Sequence, residues 1–152
     1  MDETYIKVKG QWRSRYRAVD KHGQTIDFRF TEHRDTAAAL RCLKKAIRRH
    51  GLPETMTIDG SDANEAAIER YNEEHGTTIA IRQVKYLNNV VEQDHRAVKR
   101  ITRPMLGFKA FDAAQCTLAS VELMHMIKKR QLVVGEGDEG RTAAELFYSL
   151  AA

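Results

Sequence analysis

A carboxylate and several basic side chains share one stripe of a predicted helix at residues 88–100. At about 100° per residue, one side of this helix carries Glu92, His95, Arg96 and Lys99. The opposite side carries Val90, Ala97 and Ile101, with Val91 and Val98 on its flanks, and we expect that side to dock on a core. A metal-dependent enzyme acting on DNA phosphates needs a carboxylate beside cations. An ordinary solvated surface helix would show the same pattern.

Two further carboxylates lie at the ends of short β-prone runs. Asp2 precedes the run at 4–8, and Asp59 ends the run at 55–58. Gly60 and a polar helix-start signature follow Asp59, so the chain is expected to stop its strand and reverse there. Loops at strand ends are where α/β folds commonly place chemistry. Taken singly, Asp59 also fits a turn aspartate, and Asp2 also fits a disordered terminus.

Turn signals and periodicity predict the order of elements along the chain. The predicted strands are 5–8, 12–20, 25–31, one ending at 59, and 78–84. The predicted helices are 35/36–50, 62–75, the Glu92 helix, 111–130 and 142–150. This order predicts an α/β, ribonuclease H-like fold with a mixed five-stranded sheet flanked by helices. Such a sheet would place Asp2 on the first strand next to Asp59 on the fourth.

Several segments resemble the catalytic domain of bacterial insertion-sequence transposases of the DDE class. The resemblance is closest to the sixth insertion-sequence family, whose members transpose replicatively through cointegrates. The residues that carry it are 2–10 with Trp12, 16–20, 57–59, 82–89, 92–95 and 103–109. In that family two aspartates and a glutamate bind two divalent metals, so the resemblance assigns catalysis and metal binding to Asp2, Asp59 and Glu92.

The resemblance also implies the reaction. Two Mg²⁺ ions, for which Mn²⁺ can substitute, would support in-line displacement at a DNA phosphate. Water as nucleophile would nick the element's end, and the freed 3′-hydroxyl would then join that end to target DNA. The spacing from Asp59 to Glu92 is at the short edge of the range usual for this class, which a shorter loop before the fifth strand would explain.

Basic residues near Glu92 are the predicted DNA contacts. The family often carries Lys or Arg seven residues after the glutamate, and that position is Lys99. The predicted contacts are Lys99, Arg96, Arg100, His95 and Arg103. The basic groups at 44–49 and 128–130 fit a solvated helix face and a helix C-terminus instead. Trp12 and Tyr16 are expected to pack in a hairpin rather than to stack on bases.

Length and composition fit a single compact domain, and its mild excess of basic residues permits nucleic-acid binding without demanding it. The chain has 152 residues, is 42% hydrophobic and carries a net charge of +4. Cys42 and Cys116 lack metal-ligand spacing and are expected to be reduced core residues, which suits the cytoplasm. No apolar run approaches the roughly 18 residues of a membrane span. Together with these features, the transposase resemblance implies a cytoplasmic, nucleoid-associated protein whose partners are transposon ends and target DNA.

The predicted catalytic domain covers residues 1–131, followed by a linker and short helix at 132–152. Family members carry an upstream helix-turn-helix region, so the resemblance implies an N-terminally truncated transposase. Its protein partner would be a second copy or the full-length transposase. Two alternatives stay open: a catalytically inactive remnant that acts as an interaction or inhibitory module, and a ribonuclease H-like nuclease unrelated to transposition.

Overall fold

The structure is a computed structural model that describes residues 1–33, 35–83, 89–132 and 140–151, without the side chains of 89–92, 94 and 151. Its strands are β1 (Asp2–Val8), β2 (Gln11–Val19), β3 (Thr25–Thr31), β4 (Thr55–Ile58) and β5 (Ala80–Gln83). Its helices are α1 (Thr36–His50), α2 (Asp62–His75), α3 (Asn89–Thr102), α4 (Phe111–Lys128) and α5 (Ala143–Ala151). A 3₁₀ turn, Arg103–Met105, separates α3 from α4. The predicted order is confirmed, while Val84 and most of the predicted linker lie outside the described residues.

The strands form a mixed α/β arrangement of two sheets. β1, β2 and β3 pair antiparallel through two hairpins, and β4 pairs with β5 in parallel. The two sheets meet where the Met1 amino group donates a hydrogen bond of 2.6 Å to the Thr57 carbonyl. One hydrogen bond does not make a ladder, so the described strands form sheets of three and two rather than the predicted sheet of five.

Two apolar clusters hold the helices against the strands. The larger one joins α1 and α2 to β2 and β4 and includes fully buried Tyr16, whose predicted packing role is confirmed. The smaller one joins Ile6 of β1 to Val98 of α3 and Leu118 of α4. Asp35 caps α1 by accepting a hydrogen bond from the amide of Ala38. In the described part of the chain, no helix is long and apolar enough to span a membrane.

Helix α3 docks through a different side from the one predicted. His95, Val98 and Thr102 are buried, whereas Ile101, on the predicted docking side, is 42% exposed. The prediction was wrong because periodicity counts histidine as polar, while here His95 meets polar partners inside the protein. The helix is therefore rotated so that His95 faces the strands. Cys116 also departs from its predicted core position and is exposed, whereas Cys42 is buried.

The loop after the 3₁₀ turn is fastened to the end of β1. The Phe108 amide donates to the Lys7 carbonyl at 2.8 Å, and the Lys9 amide donates to the Phe108 carbonyl at 2.7 Å. Gly107 makes this approach possible because its φ is +103° and an added Cβ would lie 3.2 Å from the Lys7 carbonyl oxygen.

Gly107→Ala is expected to lower the free energy of unfolding by about 1–3 kcal/mol, the usual cost of a strained backbone conformation. Urea unfolding measures the change. Gly140→Ala is the matched control, since a Cβ there meets no atom within 4 Å. Equal stability of the two variants would contradict the proposed tight approach.

Candidate active site

The carboxylates of Asp2 and Asp59 come together where the two sheets meet. Asp2 begins β1 and is 6% exposed, and Asp59 directly follows β4. The two side chains lie close enough for each to shift the pKa of the other. Backbone amides hold each one: Glu3 donates to Asp2 Oδ1 at 2.8 Å, and Ser61 donates to Asp59 Oδ1 at 3.3 Å. The structure thus brings together the two strand-end aspartates that the sequence singled out.

The pKa values of Asp2 and Asp59 are shifted in opposite directions. Burial raises the pKa of Asp59, and the adjacent Asp2 carboxylate raises it further. Burial also acts to raise the pKa of Asp2, but the neighbouring His95 and Asp59 side chains and the hydrogen bond from the Glu3 amide hold it below its usual value. Two carboxylates this close do not both ionise readily unless a cation neutralises them. Oxygen donors in such a pair fit a hard divalent cation.

Glu92 lies on α3, but its side chain is outside the described residues. Among the side chains that the structure does describe, no group of three or more His, Cys, Asp or Glu residues is arranged to hold a metal. The described part of the candidate site is therefore the Asp2–Asp59 pair. The assignment of Glu92 as third ligand stays a prediction.

His95 of α3 lies against Asp2. Its Nε2 is 3.4 Å from Asp2 Oδ2, and its Nδ1 is 3.2 Å from Nη1 of Arg15. A guanidinium can only donate, so Nδ1 accepts, and the proton of the neutral ring sits on Nε2 facing Asp2. Burial lowers the pKa of His95; the Asp2 carboxylate opposes this shift and the Arg15 charge adds to it. His95 is 5% exposed, and its ring faces Asp2 and Arg15, so its role as a DNA contact stays a prediction.

A buried charge network extends from this histidine into α4. Glu122 forms ion pairs with Arg15 and Arg17 of β2, and all three side chains are fully buried. Arg17 also donates to Thr25 Oγ1 at 2.8 Å. Sequence reasoning missed the network. The available signal was an arginine at alternate positions of β2 and a single glutamate within the largely apolar stretch of α4.

The cations that follow Glu92 along the chain share one surface. A depression of about 530 Å³ is lined by Arg96, Lys99, Arg100, Arg103 and Pro104. We call it the basic surface; it unites four of the five predicted DNA contacts. The basic groups elsewhere are engaged differently: Lys44 pairs with Glu74 at 2.7 Å, and Lys45 pairs with Asp27 at 2.8 Å.

Trp12 is 66% exposed, so the expected packing role is wrong for this residue. It lies in the last pair but one of the β1–β2 hairpin, opposite Lys7. The Lys7 ammonium sits 5.9 Å from the centre of the Trp12 ring. Its neighbour Tyr16, four residues further along β2, reaches the core instead.

Comparison with known proteins gives consistent matches. A family model described as a DDE domain matches residues 1–131. A transposase for the insertion sequence-like element IS431mec of Staphylococcus aureus strain Mu50 is 33% identical over 138 residues, or 86% of this chain and 57% of that protein. The S. aureus transposase for insertion sequence element IS257 in transposon Tn4003 matches equally. An uncharacterized protein, pYV0051, of Yersinia pseudotuberculosis is 34% identical over 77 residues, or 49% of this chain and 72% of that protein.

Proposed function

We propose that this chain, which belongs to the DDE-domain family of insertion-sequence transposases, cleaves and joins DNA strands during transposition. The observation that carries the proposal is the Asp2–Asp59 carboxylate pair beside α3, the helix that bears Glu92 and part of the basic surface. The chain spans 57% of the length of its S. aureus relatives. The activity, substrates and partners given below are therefore proposals, and they are argued from the residues of this chain.

The proposed fold is ribonuclease H-like. The Met1–Thr57 hydrogen bond sets β1 beside β4, which would continue the three-stranded sheet into β5 and give a five-stranded order. Residues 1–131 would form the catalytic domain, and 132–152 the linker and terminal helix. In this arrangement β1 and β4 would be neighbours. Asp2 on β1 and Asp59 after β4 would then lie side by side.

Asp2, Asp59 and Glu92 would hold two Mg²⁺ ions, with Mn²⁺ as a substitute. Bound there, the ions would activate an attacking oxygen and stabilise the leaving oxygen at a DNA phosphate. His95 would keep the Asp2 carboxylate oriented through its Nε2 proton. Arg15 would in turn fix the tautomer of His95, so both act as positioning residues.

The basic surface would hold the DNA backbone. Lys99, Arg100 and Arg103 would contact phosphates. Arg96, one helical turn after Glu92, would contact the phosphate nearest the carboxylates. The proposed substrates are transposon ends and target DNA in the cytoplasm, at the nucleoid. A second copy of the chain or a full-length transposase is the proposed protein partner.

The experiment is joining of labelled, pre-cut transposon ends to a plasmid in Mg²⁺ or Mn²⁺, with EDTA as blank. The wild-type chain is expected to join the ends, and Glu92→Gln is expected to lose joining because a neutral amide no longer balances the metal charge. Glu69→Gln, an exposed carboxylate-to-amide change on α2, is the matched control and should keep joining.

Other outcomes separate the alternatives. Joining by Glu92→Gln at the wild-type rate would remove that residue from the site. Cutting without joining would favour a ribonuclease H-like nuclease. Absence of both reactions, with stable binding to a full-length transposase, would favour a non-catalytic interaction module.

A further inference from the structure

We infer that the chain has a pocket for an unpaired DNA nucleotide, separate from the catalytic carboxylates. The inference rests on the proposed function, because it names how the DNA substrate is held. The pocket has a volume of about 590 Å³ and lies between the end of the β1–β2 hairpin, the end of α3 and the following loop. Residues with aromatic, cationic or apolar side chains that line it include Tyr5, Lys7, Trp12, Lys99, Arg103 and Leu106. We call it the hairpin pocket.

The walls of the hairpin pocket have fixed positions. In the loop wall, Phe108 hydrogen-bonds through its amide to Lys7 of β1 at 2.8 Å and through its carbonyl to Lys9 of the following turn at 2.7 Å. Phe108 itself packs against the smaller apolar cluster. The hairpin wall is set by the β1–β2 register, which pairs Lys7 with Trp12. An exposed indole is thus presented at a defined place rather than on a free loop.

The charge of the hairpin pocket selects an anionic occupant. Lys7, Lys99 and Arg103 line it, and none of the described lining residues is acidic. A second copy of the chain bound across a two-fold axis would set these cations against one another. A nucleotide instead offers a phosphate to the cations and a flat base to the Trp12 ring, on which bases of any sequence stack.

The hairpin pocket also lies on the path of the DNA. It shares Lys99 and Arg103 with the basic surface, so the two depressions adjoin each other. That surface begins at Arg96, next to the histidine that contacts Asp2. Lys99 follows Glu92 by two helical turns, about 10 Å of helix. A strand leaving the catalytic carboxylates along these cations would therefore reach Trp12 within a few nucleotides.

An unpaired base fits better than a paired one, because only an unpaired base presents a free face to an indole. Duplex DNA would contact the cations through its phosphates and leave Trp12 uncovered. The inference therefore predicts that single-stranded DNA binds more tightly than duplex DNA and that this preference depends on Trp12. The contribution of phosphate contacts to affinity should not depend on Trp12.

Trp12 is the only tryptophan of the chain, so its fluorescence reports on this pocket alone. The full chain is titrated in EDTA with a single-stranded oligonucleotide and with a duplex of equal length. Single-stranded DNA is expected to quench Trp12. In anisotropy titrations of labelled DNA, Trp12→Leu should weaken single-strand binding about tenfold, as expected for loss of one stacked base. Its duplex binding should change less than about twofold.

Matched variants separate stacking from charge and from folding. Tyr148→Leu removes another exposed aromatic, on α5, and should leave both affinities unchanged. Arg103→Gln should weaken both DNA forms and reduce the salt dependence, whereas Arg48→Gln on α1 should do neither. Equal losses for single strand and duplex in Trp12→Leu would overturn the inference. So would a Trp12 signal that follows protein concentration without DNA, since that marks self-association.

Because EDTA removes metal, this binding test is independent of joining. Joining without a Trp12-dependent strand preference would overturn the hairpin pocket and leave the proposed reaction intact. A Trp12-dependent preference in a chain that fails to join would support the pocket and overturn the proposed catalysis.

Discussion

Glu122→Gln is expected to lower the free energy of unfolding by about 3–5 kcal/mol, the usual cost of removing one partner of a buried ion pair. Glu122 is the carboxylate that both Arg15 and Arg17 face, and all three side chains are fully buried. Glutamine keeps the shape but not the charge, so two buried guanidinium groups would lose the carboxylate that Glu122 supplies. Urea unfolding followed by circular dichroism measures the change in midpoint.

Glu74→Gln is the control for this prediction. Glu74 also meets two cations, Lys44 and Arg70, and their hydrogen bonds lower its pKa to about 2. Its site is open to water, where screening and side-chain entropy cancel most of the attraction. We expect no measurable change in midpoint. A Glu122→Gln variant as stable as Glu74→Gln would show that the buried arginines find other partners.

The network also links stability to the candidate site. Arg15 contacts both Glu122 and His95, and His95 contacts Asp2. Loss of the Glu122 charge should therefore leave Arg15 less well positioned, and His95 would then be held less firmly in one tautomer and one orientation. In Glu122→Gln under folding conditions, joining is expected to fall more than DNA binding, since the basic surface does not depend on this network.

Local signals explain why so much of the fold was predictable. The hairpin turn at Lys9-Gly10, the Asp35 cap and the glycines after α1 and α2 act within a few residues of the boundary they set. The meeting of Asp2 and Asp59 was predictable too, because it follows from strand order. The family resemblance contributed what local signals could not, namely the metal roles of the carboxylates.

The interior charges could not be read from the same signals. Charged side chains are almost always exposed unless paired, so nothing in the residue types of Arg15, Arg17 and Glu122 marks them as buried. Their pairing joins positions about a hundred residues apart, which periodicity does not sense. The same limit explains why the docking side of α3 was predicted wrongly. Conversely, Trp12 was expected to pack within the hairpin, and its exposure became visible only from the folded structure.

Asp59→Asn is expected to stabilise the metal-free chain near neutral pH and to reduce strongly its stabilisation by metal. The raised pKa of Asp59 means that its protonated form is favoured in the folded state. Its contribution to stability is therefore complete below the unfolded pKa, about 3.9, and is lost as pH rises through the folded value. Asp2 has the opposite sign: its lowered pKa gives stability that is lost as pH falls through the folded value. Because asparagine does not ionise, Asp59→Asn avoids the loss of stability that Asp59 causes as pH rises.

Metal reverses the advantage of the variant. A divalent cation between two ionised carboxylates turns their repulsion into attraction, so Mn²⁺ at 100 times its Kd should stabilise the wild-type chain by about 2.7 kcal/mol. Asp59→Asn should gain much less and should not join DNA ends, while Glu69→Gln should behave as wild type in every respect. Thermal unfolding with EDTA or Mn²⁺ between pH 4 and 8 provides the comparison. A variant that is destabilised without metal would mean that Asp59 is held by attraction rather than repulsion, and the pair would then lose its physical rationale as a cation site.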